Sequence, residues 1–321
     1  MNKRSMELLS VAKNFIQELD LPVHYASVGG SVARGEADQY SDVDITIYTD
    51  SDRHADHMDV LYGEEIIQLE IVLVKELATR QEIIDSSWDY RFLAEIMIIQ
   101  DRDGAFNNIK NWATTYFTSE NSHYKMIEQV SRIVQERMQA AYDYTYQQRF
   151  YSATNLAMGA WAEAGFLYLF LNQHSLSAGA LIPKIQTLKS HFEEFQAVSS
   201  ISIEQDCLEI SSILRQLRQF LRSQGHVSKF GLSELQDTLC DRKIQRLLNT
   251  KDFFNLKWQM HAEAFWLFLE TSNGCSIEEY LEGLPADLQK NMMKLGFVPL
   301  KKEKIHQLGR LTDELLDVVI K

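Results

Sequence analysis

Apolar positions recur along this chain with two periods. From Ser5, the residues Leu8, Leu9, Val11, Phe15, Ile16 and Leu19 return every three or four positions, which predicts a helix capped by Ser5 and stopped before Pro22. Val23 to Val28 is a short apolar run read as a strand, broken sharply by Gly29-Gly30-Ser31. Val43 to Tyr48, Ile66 to Val74 and Ala94 to Ile99 read as further strands. The Ile66 to Val74 run is nearly continuous and β-branched, which predicts burial on both faces. This half mixes strands and helices and reads as α/β or α+β.

Beyond about residue 115 the pattern is helical throughout. Tyr124 to Gln147 is one long stretch, and Ser152 to Asn172 is apolar almost all round, as in a helix buried within a bundle. Pro183 suits the first turn of another helix, and Ser202 to Arg222, Ser233 to Leu248, Phe253 to Glu270 and Glu303 to Ile320 continue the pattern. We therefore expect two domains, residues 1–115 with the sheet and residues 116–321 as an all-helical bundle.

Composition narrows the classes. Of 321 residues, 45% are hydrophobic and 24% charged, enough for packed cores and unlike a disordered chain. Cys207, Cys240 and Cys275 lie far apart and show no metal-ligand spacing, which argues against a disulfide framework or structural zinc. The start, MNKRSMELLSVAKNF, turns polar too soon for a signal peptide. The longest apolar candidate, Ala160 to Leu171, contains Glu163 and is too short to span a bilayer. The expectation is a cytoplasmic protein, monomer or homodimer, with no membrane partner. The net charge is −13; residues 1–115 hold 21 acids and 10 bases (−11), and the remainder 24 acids and 22 bases (−2). Such a surface disfavours nucleic acid and tolerates a divalent cation or a cationic substrate.

The stretch Val28 to Thr49, VGGSVARGEADQYSDVDITIYT, holds the candidate chemistry. Gly29 and Gly30 let backbone N–H groups approach an anion, Ser31 adds a hydroxyl, and Arg34 adds a guanidinium fork suited to phosphate oxygens. Asp42 and Asp44, two apart at the start of a strand, project to one side and repel each other unless a cation such as Mg²⁺ lies between them. Glu70, inside an apolar run, is costly to bury unless paired or metal-bound, and beside the aspartates it makes a third carboxylate. The alternatives are a solvated Asp pair in a turn and an edge strand with Glu70 facing water.

GGSVARGEADQYSDVD followed by a strand resembles the signature of the polymerase-beta-like nucleotidyltransferase superfamily. Arg34-Gly35 looks like the Arg-Gly of its small-molecule branch. Asp101-Arg102-Asp103-Gly104-Ala105-Phe106 is similar to the Asp-x-Asp-Gly-x-Phe that often closes the catalytic domain. The layout resembles the aminoglycoside and lincosamide nucleotidyltransferases, with a catalytic domain followed by a helical substrate domain. The resemblance implies an α+β fold and Mg²⁺-dependent transfer of a nucleoside monophosphate from an NTP, ATP first, to a hydroxyl of a small molecule. It implies Asp42 and Asp44 as metal ligands, Glu70 as third ligand or base, and Gly29, Gly30, Ser31 and Arg34 on the phosphates. The same fold also adenylylates protein hydroxyls or serves as a non-catalytic nucleotide-binding module; the intact carboxylate set argues against the latter.

In the helical half, Glu163 is either a general base whose pKa is raised by burial or a carboxylate satisfied by a neighbouring Arg or Tyr. Lys184, after Pro183, either reaches the triphosphate or is an ordinary solvated lysine. His54 and His57, amid acids, read as a solvated loop rather than a metal site. The aromatic runs Tyr142 to Tyr146 and Phe265 to Phe268 read as core and interface.

Overall fold

A computed structural model describes residues 1–51, 57–201, 208–226 and 231–320. His54 and Cys207 lie outside the described residues. The chain forms a mixed five-stranded sheet with flanking helices, followed by a mostly helical region, an α+β architecture. It divides into two compact units, residues 1–126 with 233–243, and residues 127–232 with 244–321. The second segment of the first unit comes from within the helical stretch, which places it apart from the composition change near residue 115.

In the first unit, α1 spans Lys3–Glu18, β1 Val23–Val28, α2 Gly30–Ala33, β2 Val43–Thr49, β3 His57–Tyr62 and β4 Glu65–Leu73. Then come α3 at Arg80–Asp85, β5 at Met97–Asp101 and α4 at Ala105–Tyr116. The sheet order is β3-β4-β2-β1-β5; only the β2–β4 pair is parallel.

The cap of α1 is Asn2, whose side chain accepts from the Ser5 N–H, and not Ser5 itself. Ser5 is buried, and its hydroxyl accepts from the Ala37 N–H at 3.0 Å, while Asn2 Nδ2 donates to the Ala37 carbonyl at 2.9 Å. The start of α1 thus anchors the loop that leads to Asp42. Leu8, Ala12, Phe15 and Ile16 of α1 pack on Val43, Ile45 and Ile47 of β2 and Ile67, Leu69 and Ile71 of β4. Burying aliphatic side chains of this size stabilises by roughly 1.5–3 kcal/mol each.

The expectation that β4 is buried on both faces is corrected. Its residues alternate, with Ile67, Leu69 and Ile71 on the core and Gln68, Glu70 and Val72 half-buried. The strand expected at Ala94 begins at Met97, because Asp89–Ala94 winds into a 3-10 turn.

The helical region contains α5 (Glu120–Tyr146), α6 (Phe150–Gln173), α7 (Leu181–Ile185), α8 (Lys189–Val198), α9 (Leu208–Ser223), α10 (Glu234–Asn249), α11 (Phe253–Thr271), α12 (Ile277–Glu282), α13 (Ala286–Lys294) and α14 (Lys302–Ile320). Pro183 sits in the first turn of α7, where its missing N–H is tolerated. Helix α6 is the buried element, with Trp161 inaccessible and stacked on Phe195 at 3.5 Å between ring centroids. Cys240 is buried, Cys275 half-buried, and both are free. Among the described residues, no helix is long and apolar enough to cross a membrane.

Candidate active site

β2 alternates cleanly: Val43, Ile45, Ile47 and Thr49 are buried toward α1, whereas Asp44, Thr46 and Tyr48 occupy the opposite, half-buried face, and Asp42 precedes them. Period-two geometry therefore puts both aspartates on the open face. β1 delivers the chain to Gly29 beside them, and the Gly29 N–H donates to the Asp44 carbonyl at 2.9 Å.

Gly30 has a φ of +58°, the left-handed region, and a β-carbon there would lie 1.9 Å from Asp44 Oδ2. Only glycine lets the backbone turn here while the Asp44 carboxylate lies against it. The turn continues into α2, which carries Ser31, and the first amides of a helix have no acceptor within it.

Asp44 is electrostatically loaded. Burial first, and then the Asp42 charge, push its pKa up to about 7; the charges of Arg34 and Lys243 pull in the other direction. Lys243 belongs to the first unit through its 233–243 segment. It is a site residue that the sequence reading missed, lying some 200 positions from Asp44 with no local motif to mark it.

Arg34 is already engaged. Its Nε donates to Glu36 at 2.9 Å and its Nη1 to Glu95 at 3.1 Å, with the side chain 17% exposed. It reaches Asp44 through its charge.

Glu70 shares the open face. Parallel pairing sets Asp44 beside Gln68 and Thr46 beside Glu70, so Glu70 lies one same-face step beyond Asp44, roughly 7 Å along the strand. Glu70 Oε2 accepts from Thr46 Oγ1 at 2.9 Å, and Oε1 lies 3.7 Å from His57 Nε2. β4 is an interior strand, so the edge-strand alternative fails, although the Glu70 side chain is 44% exposed. Among the described residues, no three His, Cys, Asp or Glu side chains form a group that could hold a metal ion. Asp42 and Asp44 are brought together, and Glu70 is placed on their face further along. The donors are hard carboxylate oxygens whose mutual repulsion a divalent cation would relieve, so the pair fits Mg²⁺.

The face is also held by β3, a strand absent from the sequence reading. Asp59 accepts from Gln68 Nε2 at 3.2 Å, from Gln236 Nε2 at 3.0 Å and from the Ser233 hydroxyl. Those bonds dock the start of α10 onto the same side of the sheet as Asp44.

Asp101 and Asp103 have structural roles. Asp101 accepts from the Gly104 and Asn107 amides at 2.9 and 2.8 Å, and Asp103 accepts from the Ala105 amide at 2.9 Å and the Tyr25 hydroxyl. They fix the start of α4 below the Tyr25, Tyr48 and Phe106 rings.

Glu163 and Lys184 belong to the second unit. Glu163 Oε2 accepts from Arg137 Nη1 at 2.9 Å, which also donates to the Gly159 carbonyl at 3.0 Å. The satisfied-carboxylate alternative therefore describes its surroundings. Lys184 is exposed on α7.

Residues 9–102 match the model of the nucleotidyltransferase domain family, a stretch that contains the glycine turn, both aspartates and Glu70. No curated protein matches the chain. Among solved structures, a nucleotidyltransferase-like protein from Exiguobacterium sibiricum 255-15 is 11% identical, with 91% of this chain and 88% of that chain covered and a TM-score of 0.35. A likeness that low carries no argument about fold or chemistry.

Proposed function

We propose that the first unit transfers a nucleoside monophosphate from an NTP, ATP first, to a hydroxyl of a small molecule and releases pyrophosphate. The observation that carries this reading is the Asp44 carboxylate held against Gly30 and beside Asp42, a charge arrangement with no structural benefit of its own. Asp42 and Asp44 would hold Mg²⁺, which when bound neutralises the triphosphate and the charge developing at the α-phosphorus. Gly30 and Ser31 bind the terminal phosphates through amides and a hydroxyl, the Gly29 amide being committed to the Asp44 carbonyl, and Lys243, whose charge acts on Asp44, adds positive charge. Glu70, oriented by Thr46, accepts the proton of the attacking hydroxyl. The acceptor oxygen bonds to the α-phosphorus, the bond from that phosphorus to its bridging oxygen breaks, and pyrophosphate leaves. We assign the base to Glu70 rather than Glu163, because Glu163 is committed to Arg137. The acid excess of residues 1–115 supports a cationic acceptor, with aminoglycosides and lincosamides as first candidates.

The test is incubation with Mg²⁺ and ATP labelled at the α-phosphate, against a panel of amine-bearing hydroxyl compounds. Label on a small molecule, with matching pyrophosphate release that Asp44→Asn abolishes, is the expected result. Label confined to a protein band would redirect the acceptor class, and undiminished turnover by Asp44→Asn would end the reading.

A further inference from the structure

We propose that Asp59 is a positioning residue: it fastens the start of α10 to the sheet so that Lys243, on the same side of that helix, is held at Asp44. What Lys243 does there rests on the nucleotidyl-transfer reading; how it is held does not.

Strand register sets Asp59 of β3 beside Gln68 of β4, and Gln68 beside Asp44 of β2. Side chains paired across strands share a face, so the three form one row on the open face, with roughly 10 Å, two strand spacings, between its ends. The Asp59 carboxylate accepts from Gln68 within the row, and from Ser233 and Gln236 at the start of α10. Ser233 also caps that helix, its hydroxyl accepting from the Gln236 amide at 3.3 Å, and Gln236 is buried. One carboxylate thus ties β3, β4 and the first turn of α10 together, through bonds strengthened by its charge.

Lys243 follows Gln236 by seven positions. Seven residues are close to two helical turns, so both side chains lie on one side of α10, about 10.5 Å apart along its axis. That separation matches the length of the Asp59–Gln68–Asp44 row. The far end of the segment is placed independently. Arg242, next to Lys243, lines a cleft with Gln39, three residues before Asp42, and with Glu64 and Glu65 where β4 begins. The Lys243 end of α10 therefore stands where β2 starts with the two aspartates, and Lys243 acts on Asp44 through its charge.

The test uses the full chain in two measurements. Without nucleotide, lysines are acetylated with acetic anhydride, and Lys243 is read by mass spectrometry against exposed Lys301. Asp59→Ala should raise Lys243 labelling about threefold or more, by freeing the helix start. Asp59→Asn should keep it within about twofold of wild type, because the amide oxygen still accepts from Gln236 and the amide nitrogen donates to Ser233. With Mg²⁺ and ATP, calorimetry should show binding weakened about tenfold by Lys243→Ala, nearly as much by Asp59→Ala, and no further in the double variant, since Asp59 acts through Lys243. Thermal melts check folding; should Asp59→Ala fail to fold, Ser233→Ala, which removes one of the three bonds, replaces it with smaller effects of the same sign. Unchanged Lys243 labelling in the folded variant, equal effects of Asp59→Asn and Asp59→Ala, or additive losses in the double variant would overturn the proposal. Wild-type protein that binds no ATP while the labelling follows expectation would end the nucleotidyl-transfer reading and leave the placement of Lys243 by Asp59 standing.

Discussion

Both units bury ionisable groups, and they treat them oppositely. In the helical unit Arg218 is 1% exposed, yet its Nη2 donates to Glu263 at 2.6 Å and its Nε to the Gly231 carbonyl at 3.0 Å. Glu163 has Arg137, and His261, buried and held neutral, bonds the Leu295 carbonyl through Nδ1 at 2.8 Å. Each of these charges or dipoles meets its complement and supports the packing. In the sheet unit Asp44 meets Asp42, a like charge, across an open face. Burial alone therefore does not mark function; burial against a like charge does.

The largest test of that contrast is a pair of substitutions. Asp44→Asn should reduce nucleotidyl transfer by about a thousandfold or more, while raising the melting temperature of the metal-free protein at pH 8. Arg218→Ala removes the buried Arg218–Glu263 pair and the bond to the Gly231 carbonyl and should destabilise the fold by about 3 kcal/mol, the lower end for such pairs; Glu263 keeps some access to water at 20% exposed. Calorimetry of both proteins, with an assay of the first, checks the opposite signs.

The two units should also respond oppositely to pH. The Asp44 pKa is raised from 3.8 to about 7, so the metal-free sheet unit loses stability as pH rises from about 4 to 7, on the order of 4 kcal/mol in all. Burial lowers the His261 pKa from 6.5 to about 4, the Leu295 bond offsetting part of it, so the helical unit loses stability as pH falls through that window, on the order of 3 kcal/mol. Hydrogen exchange at pH 5 and pH 8, corrected for intrinsic rates, should show β2 better protected at the lower pH and α11 at the higher. The same sign in both elements would break the comparison.

The smallest effect concerns Glu70. Thr46→Val removes its 2.9 Å hydrogen bond and should reduce turnover several-fold, about 1 kcal/mol, with little change in nucleotide affinity. Steady-state kinetics with varied ATP separates the two.

Much of this was legible in the chain because it is local. β1 matches its apolar run residue for residue, and the long helices keep an unbroken period that fixes their spans within a few positions. The Asp42 and Asp44 pair needed only strand alternation. β3 was not legible, because His57–Tyr62 is an edge strand with no fully buried residue, whose Asp59 and His57 break the apolar pattern. The continuous apolar reading of β4 hid its alternation, since Val72 on the open face is as apolar as its core neighbours. The Arg137 partner of Glu163 and the approach of Lys243 to Asp44 are tertiary facts with no sequence period.

The interlock of Gly30 with Asp44 has a consequence for how this chain can change over time. The carboxylate oxygen fills the space that any other residue at position 30 would need for its first side-chain carbon. A mutation at position 30 meets both this carboxylate and a left-handed backbone, and shrinking position 44 removes only the first obstacle. Drift in a lineage that abandoned the chemistry should therefore begin at 44 and reach 30 later, an order that reconstructed ancestors could reveal.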